Sequence, residues 1–289
     1  MDGVTSGGKP SATACDDRRR VDQKLGVQSL FDGLSATYDS TGVDFFGQIA
    51  RRLIRHARLR EGSVVLDVGC GAGAALIPAA EAVGPTGRVW GIDLAPGMVD
   101  RAQRAVQQLA LENVRVDVGD AEAPAAPPGS VDAIVASLVL FFLPDIDLAL
   151  DAYVQALVPG GTFAFSTFMD DDDWTGLDRL LATFTSPEPE RDEEEPWFQS
   201  ESGVRSLLST HGFRDISVEE VTHQVDFPTI AAFHEWIWST GWRATWSAIP
   251  PKRRHAATAA VDNHLRSLHE QRGRIRLETR VRYTRAATI

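Results

Sequence analysis

Residues Val64 to Gly73, VVLDVGCGAG, leave little choice of fold. Val64, Val65, Leu66 and Val68 carry too little polar alternation for a half-wet strand and read as a buried parallel one. Gly69, Gly71 and Gly73 follow, and then a helical run from Ala74 to Val83. A strand, a tight glycine turn and a helix N-terminus gather free backbone N–H groups and the positive end of a helix dipole at one point. Glycine suits this turn because a Cβ would obstruct both the bend and the close approach of a ligand.

The next strand, Arg88 to Asp93, ends in an acid about 20 residues after the glycines, the spacing at which a carboxylate meets the two hydroxyls of a ribose. Leu94 follows it, and Pro96 opens a helix to Leu111 at a position where its missing N–H costs nothing. A third strand, Val114 to Val118, ends in Gly119, Asp120 and Ala121, a further acid at the same sheet edge. The fourth, Val131 to Ser137, runs into SLVLFFLPD, and a helix from Asp145 to Leu157 stops at Pro159, Gly160 and Gly161. Taken alone, the glycines with Asp93 also fit a nicotinamide fingerprint. Asp67, two residues before the first glycine, argues against it, because a pyrophosphate would be repelled there.

As a set, DVGCGAG, GID, GDAE and LVPGG resemble the class I S-adenosylmethionine-dependent methyltransferases, most closely their quinone-methylating and natural-product-tailoring branch; the resemblance spans residues 27 to 168. It implies an α/β fold: a Rossmann-like, seven-stranded, mostly parallel sheet with helices on both faces and a helical cap inserted before the last, antiparallel strand. It also implies S-adenosyl-L-methionine as cofactor, held by Tyr38, Asp67, Gly69, Gly71, Gly73, Asp93, Leu94, Met98, Gly119, Asp120, Ala121 and Ser137. Tyr38 belongs to VQSLFDGLSATYD, close to a family segment that lies across the cofactor but with Ser35 where that pattern has alanine. Methyl transfer to a small, hydrophobic or aromatic acceptor in specialised metabolism is the implied activity. Carbon methylation of a quinone precursor and a non-methylating cyclisation on the same fold are alternatives. An NAD-dependent oxidoreductase is a remote one, since about 60 residues precede the glycine turn.

A net charge of -11 speaks against a nucleic-acid partner, because clustered Lys and Arg carry such binding. No apolar run approaches the ~20 residues that span a bilayer, and the start lacks the apolar segment of a signal peptide, so a cytoplasmic protein is expected, monomer or homodimer. No metal is called for.

By composition, residues 1–24 read as a flexible tail, 25–60 as helices over the cofactor, 61–169 as the binding core, 170–200 as an acidic loop region, and 201–289 as the rest of the core with the cap at 222–272. The acid runs Asp170 to Asp173 and Glu188 to Glu195 read as solvated loops over the mouth. Phe31, Phe141, Phe142, Trp238 and Trp242 are expected at the acceptor. In the cap, one helix from Pro228 carries Phe233, Trp236, Trp238, Trp242 and Trp246 over about twice the width of an ordinary core stripe. Core, pocket wall and oligomer contact are all open for these rings. Should the acceptor need a base, His234 on that helix is the candidate, with His223 behind it.

Overall fold

The computed structural model describes residues 12–185 and 196–289; residues 1–11 of the expected tail and the acid run 188–195 lie outside the described residues. In chain order the elements are α1 (Ala12–Leu34), α2 (Phe46–Ala57), β1 (Val64–Val68), α3 (Leu76–Val83), β2 (Arg88–Asp93), α4 (Pro96–Gln108), β3 (Val114–Val118) and β4 (Val131–Ser137). A 3-10 turn at Leu140–Phe142 leads to α5 (Ile146–Ala156), β5 (Leu157–Phe168), α6 (Asp172–Ala182), α7 (Glu201–Thr210) and β6 (Arg214–Phe227). The cap helices α8 (Ile230–Trp238), α9 (Arg243–Ala248) and α10 (Pro251–Arg272) precede β7 (Ile275–Ala287).

The strands form one seven-stranded sheet in the order β3-β2-β1-β4-β5-β7-β6. β7 runs antiparallel to both its neighbours, β5 and β6, while the other pairs are parallel, as expected for this fold. Side chains alternate across β1: Val65 joins the core under α2, α3 and the cap, whereas Leu66 and Val68 join the core under α5 and α7. Asp67 therefore faces the α2–α3 side, fully buried. The strand order reverses between β1 and β4, the place where open parallel sheets leave a crevice at their carboxyl ends.

Four expectations change. Residues 12–24 are helical, not a tail: α1 is held down by ion pairs from Arg20 to Asp145 and from Lys24 to Asp120 and Glu122. The run Asp170 to Asp173 is not a solvated loop but the head of α6. Asp171 accepts a hydrogen bond from Trp174 N (2.8 Å), and Asp172 and Asp173 complement the positive helix end. Asp173 is buried, paired to both terminal nitrogens of Arg272 (2.7 and 2.9 Å) and accepting from Glu278 N (2.8 Å). The cap starts later than residue 222, because β6 continues to Phe227 with Val225 and Phe227 pointing inward. Finally, the tryptophan helix is two helices. The Ser239 and Thr240 hydroxyls bond back to Trp236 O (2.8 Å) and Ile237 O (3.2 Å), and Gly241 follows, which ends α8 before Trp242.

Candidate active site

The turn after β1 holds Gly69, Gly71 and Gly73 at φ +64°, +52° and +100°, a region that L side chains rarely enter. At Gly69 space is closed as well, since a Cβ there would come within 2.0 Å of Val139 Cγ2. Asp93 at the end of β2 braces the turn: Gly71 N donates to its Oδ2 and Ala95 N to its Oδ1, both at 2.9 Å. Burial pushes its pKa up, and these two N–H groups pull it back. Each oxygen keeps a lone pair for a ligand hydroxyl.

A cavity of about 380 Å³ opens beside this turn. Of the residues expected at the cofactor, Tyr38, Gly69, Gly71, Asp93, Leu94, Met98, Gly119, Asp120, Ala121 and Ser137 line it. Gly73 and Asp67 line an adjoining cleft of about 640 Å³ that shares Tyr38, Gly69, Gly71 and Ser137 with the first. Asp67 is fully buried and neither of its oxygens has a hydrogen-bond partner among the described residues. Desolvation drives its carboxyl far above the usual range, and the charge of Asp93 adds to this. A buried acid in that position is costly unless something cationic is brought to it.

Aromatic rings wall the same cavity. Phe31 packs edge-on against Phe142 (5.4 Å) and Tyr38 (6.0 Å), and Tyr38 stacks on Phe46 (5.2 Å). Phe141 lies 5.7 Å from Phe168, and Trp242 lies 4.8 Å from Trp174. Phe31, Phe141, Phe142 and Trp242, the residues expected at the acceptor, thus line one cavity.

Trp238, His234 and His223 do not reach it. Trp238 is 42% exposed, with the Arg243 guanidinium over its ring at 5.9 Å. His234 Nε2 lies 2.7 Å from Asp262 Oδ1 and ties α8 to α10, away from the cavity lining. His223 is buried against Tyr283 Oη (2.6 Å), and burial, aided by Arg52 and Arg55, holds its pKa below the ordinary histidine value. The remaining cap tryptophans divide by position: Trp236 and Trp246 are core, Trp242 is pocket wall.

Several lining residues escaped the sequence reading. Lys24 belongs to a segment whose polar composition hid a helix, while Phe45 and Phe46 stand at the head of α2 as an adjacent aromatic pair that could have been noticed. Asp178 lies four residues after Trp174 on α6, a spacing that was legible once Asp171 is read as a cap.

Residues 65–161 match the family model described as a methyltransferase domain. Over 247 residues, 80% of this chain and 88% of the relative, the sequence is 34% identical to nocamycin O-methyltransferase of Saccharothrix syringae. The chain belongs to the S-adenosylmethionine-dependent methyltransferases. A further relative of this methyltransferase, aklanonic acid methyltransferase DauC of a Streptomyces species, is 44% identical over 144 residues, 50% of this chain and 66% of that one. Among solved structures the fold is shared with the YcgJ protein of Bacillus subtilis (TM-score 0.57, 19% identity, 83% of this chain and 98% of that one). The 4+2 cyclase SpnF shares it too (TM-score 0.57, 18% identity, 95% and 97%).

The methyltransferase's own residues fit its cofactor. The turn admits no Cβ at Gly69, where it would collide with Val139, and the Asp67 carboxylate, without a hydrogen-bond partner among the described residues, suits a ligand that carries positive charge, which a pyrophosphate-bearing nicotinamide does not offer. Among the described residues no helix is long and apolar enough to cross a membrane.

Proposed function

We propose that this methyltransferase transfers the methyl group to an oxygen of a small, flat, largely apolar acceptor of natural-product type. One observation carries this: a single cavity is lined both by the cradle residues Gly69, Gly71 and Asp93 and by the aromatic residues Phe141, Phe142 and Trp242. The choice of oxygen follows the nocamycin relative, which is named as an O-methyltransferase.

In this proposal Asp93 receives the ribose hydroxyls, Gly119, Asp120 and Ala121 with Leu94 and Met98 take the adenine, and Gly69, Gly71, Gly73, Asp67, Tyr38 and Ser137 take the methionine part. When bound, the cofactor supplies a methyl group on a sulfonium whose departure leaves a neutral thioether. Asp67 offsets the positive charge, and the faces of Tyr38 and Phe31 add roughly 0.5–1 kcal/mol each, more where water is excluded. Phe141, Phe142 and Trp242 hold the acceptor plane and keep water from the reacting atoms. Holding the two partners in line can supply ~7–11 kcal/mol of the barrier, more than a positioned base contributes with its 10²–10⁴-fold. Tyr38 is not a base candidate, since burial pushes its phenol well above the ordinary value.

The direct test offers the enzyme a panel of hydroxylated and carboxylated anthraquinones with a donor bearing a trideuterated methyl, and locates the label by mass spectrometry and NMR. Label on oxygen is expected. Label on carbon would turn the assignment to quinone-type carbon methylation, and binding of donor with no labelled product would defeat the acceptor class.

A further inference from the structure

The three carboxylates on the cavity are Asp93, Asp120 and Asp178, and two of them are engaged. Asp93 holds Gly71 N and Ala95 N. Asp120 accepts from Lys24 Nζ (2.6 Å) and Glu122 N (2.9 Å). Asp178 makes no hydrogen bond or ion pair among the described residues, and it lines the cavity on the cap side with Trp242 and Thr245.

Its placement is firm. α6 is capped by Asp171 and clamped through Asp173 to Arg272 and the backbone of β7, so a side chain on it is held as a site on a rigid element should be. Trp174, one turn before Asp178 and on the same helix face, packs on Trp242. Asp178 is also exposed to solvent, which gives a proton somewhere to go.

We propose, building on the oxygen-methylation reading, that Asp178 is the general base: it takes the proton from a weakly acidic acceptor hydroxyl, a phenol or enol, as that oxygen is methylated. The O–H proton passes to a carboxylate oxygen of Asp178, the oxygen's electron pair forms the new O–CH3 bond, and the C–S bond breaks with its pair going to sulfur. One positive and one negative charge are consumed, leaving an ether, a thioether and a carboxylic acid that releases its proton to solvent. Loss of water on the cavity side, with the charge of Asp171 behind it, raises the carboxyl to about 6, close to where a base working near neutral pH is most effective. An ionised carboxylate acceptor, by contrast, would be repelled by Asp178.

The test compares wild type with Asp178→Asn and Asp178→Glu on two probe acceptors, 2-hydroxyanthraquinone and anthraquinone-2-carboxylate. For the phenol, kcat should fall about 100-fold or more in Asp178→Asn. KM and the affinity for S-adenosylhomocysteine should hold within roughly threefold, the experimental spread expected when one base is lost and binding is kept. Asp178→Glu should recover part of the rate, and methylation of the carboxylate should not fall. A second readout needs no cofactor: the visible band of bound 2-hydroxyanthraquinone reports its ionisation, which should occur at lower pH in Asp178→Asn than in wild type. Lys24, Tyr38, Asp93 and Asp120 on the cavity and Asp171 at the head of α6 are common to both proteins, so the difference isolates Asp178. An unchanged kcat, an equal loss on both acceptors, or an unshifted titration would overturn the proposal. If the wild type methylates neither probe, the oxygen-acceptor assignment fails, while the titration still decides whether Asp178 faces the hydroxyl.

Discussion

Replacing Gly69 with Ala strikes the donor site through two separable physical effects. The residue sits at φ +64°, where an L side chain costs about 1–2 kcal/mol. In addition its Cβ would lie 2.0 Å from Val139 Cγ2, 3.0 Å from Val139 Cβ and 3.1 Å from Val139 Cγ1. Valine is stiff about χ1 and cannot swing all three atoms away, so the overlap should cost a further ~1–3 kcal/mol in displaced backbone. Gly69→Ala is therefore expected to lose about 2–5 kcal/mol in urea unfolding, the sum of the two. In a Val139→Ala background the backbone part should remain, with only the 3.0 Å contact to the residual Cβ beside it. The double-mutant cycle should give a coupling of about 1–3 kcal/mol, the overlap alone. Calorimetry with S-adenosylhomocysteine should show weakened binding in the single variant and partial recovery in the double. A cost below about 1 kcal/mol would refute the strain argument, as would an equal cost in both backgrounds.

Two other substitutions give sharper signs than magnitudes. Burial, with Asp44 nearby and Arg101 opposing, raises Asp39 to about 6. Both folded and unfolded chains hold its proton below about pH 4; as pH climbs from there to about 6 the unfolded chain ionises while the folded one keeps its proton, so stability falls, and the stability lost is not regained above. Asp39→Asn, which also tolerates the local φ of +48°, should stabilise by about 1 kcal/mol at pH 7.5, a two-unit shift discounted for partial exposure, and by nothing at pH 4. Equal effects at both pH values in urea titrations would rule this out. Trp242→Ala should raise the acceptor KM about tenfold or more, as expected for loss of a buried aromatic anchor, with cofactor affinity retained. A fall in melting temperature with unchanged KM would make Trp242 core like Trp236.

What was legible in the sequence follows from how local its signals are. β1, the glycine turn and the acids ending β2 and β3 announce themselves because a buried strand, a left-handed turn and a sheet edge each demand particular residue types within a few positions. The cap boundary at 222 falls too early because Thr222, His223 and Gln224 mask the strand alternation that resumes with Val225 and Phe227. The first half of α1 reads as a tail because DDRRRVDQK has almost no apolar face, and its partners Asp120, Glu122 and Asp145 lie about 100 residues away. α6 was hidden because four successive acids look solvated; only the fold reveals that one caps a helix and another meets Arg272. His234 misled for the opposite reason: it sits among tryptophans in the sequence, but the break at Ser239–Gly241 sends Trp242 to the cavity and leaves His234 with Asp262.

The donor site is tested most directly by thermal and chemical unfolding with S-adenosylmethionine, S-adenosylhomocysteine and NADH side by side. Each adenosyl sulfur compound at about 100 times its Kd should add ~2.7 kcal/mol, and NADH should add nothing. Stabilisation by NADH without stabilisation by S-adenosylhomocysteine would contradict the assignment, and would mean that the buried Asp67 does not stand where a ligand's charge is met.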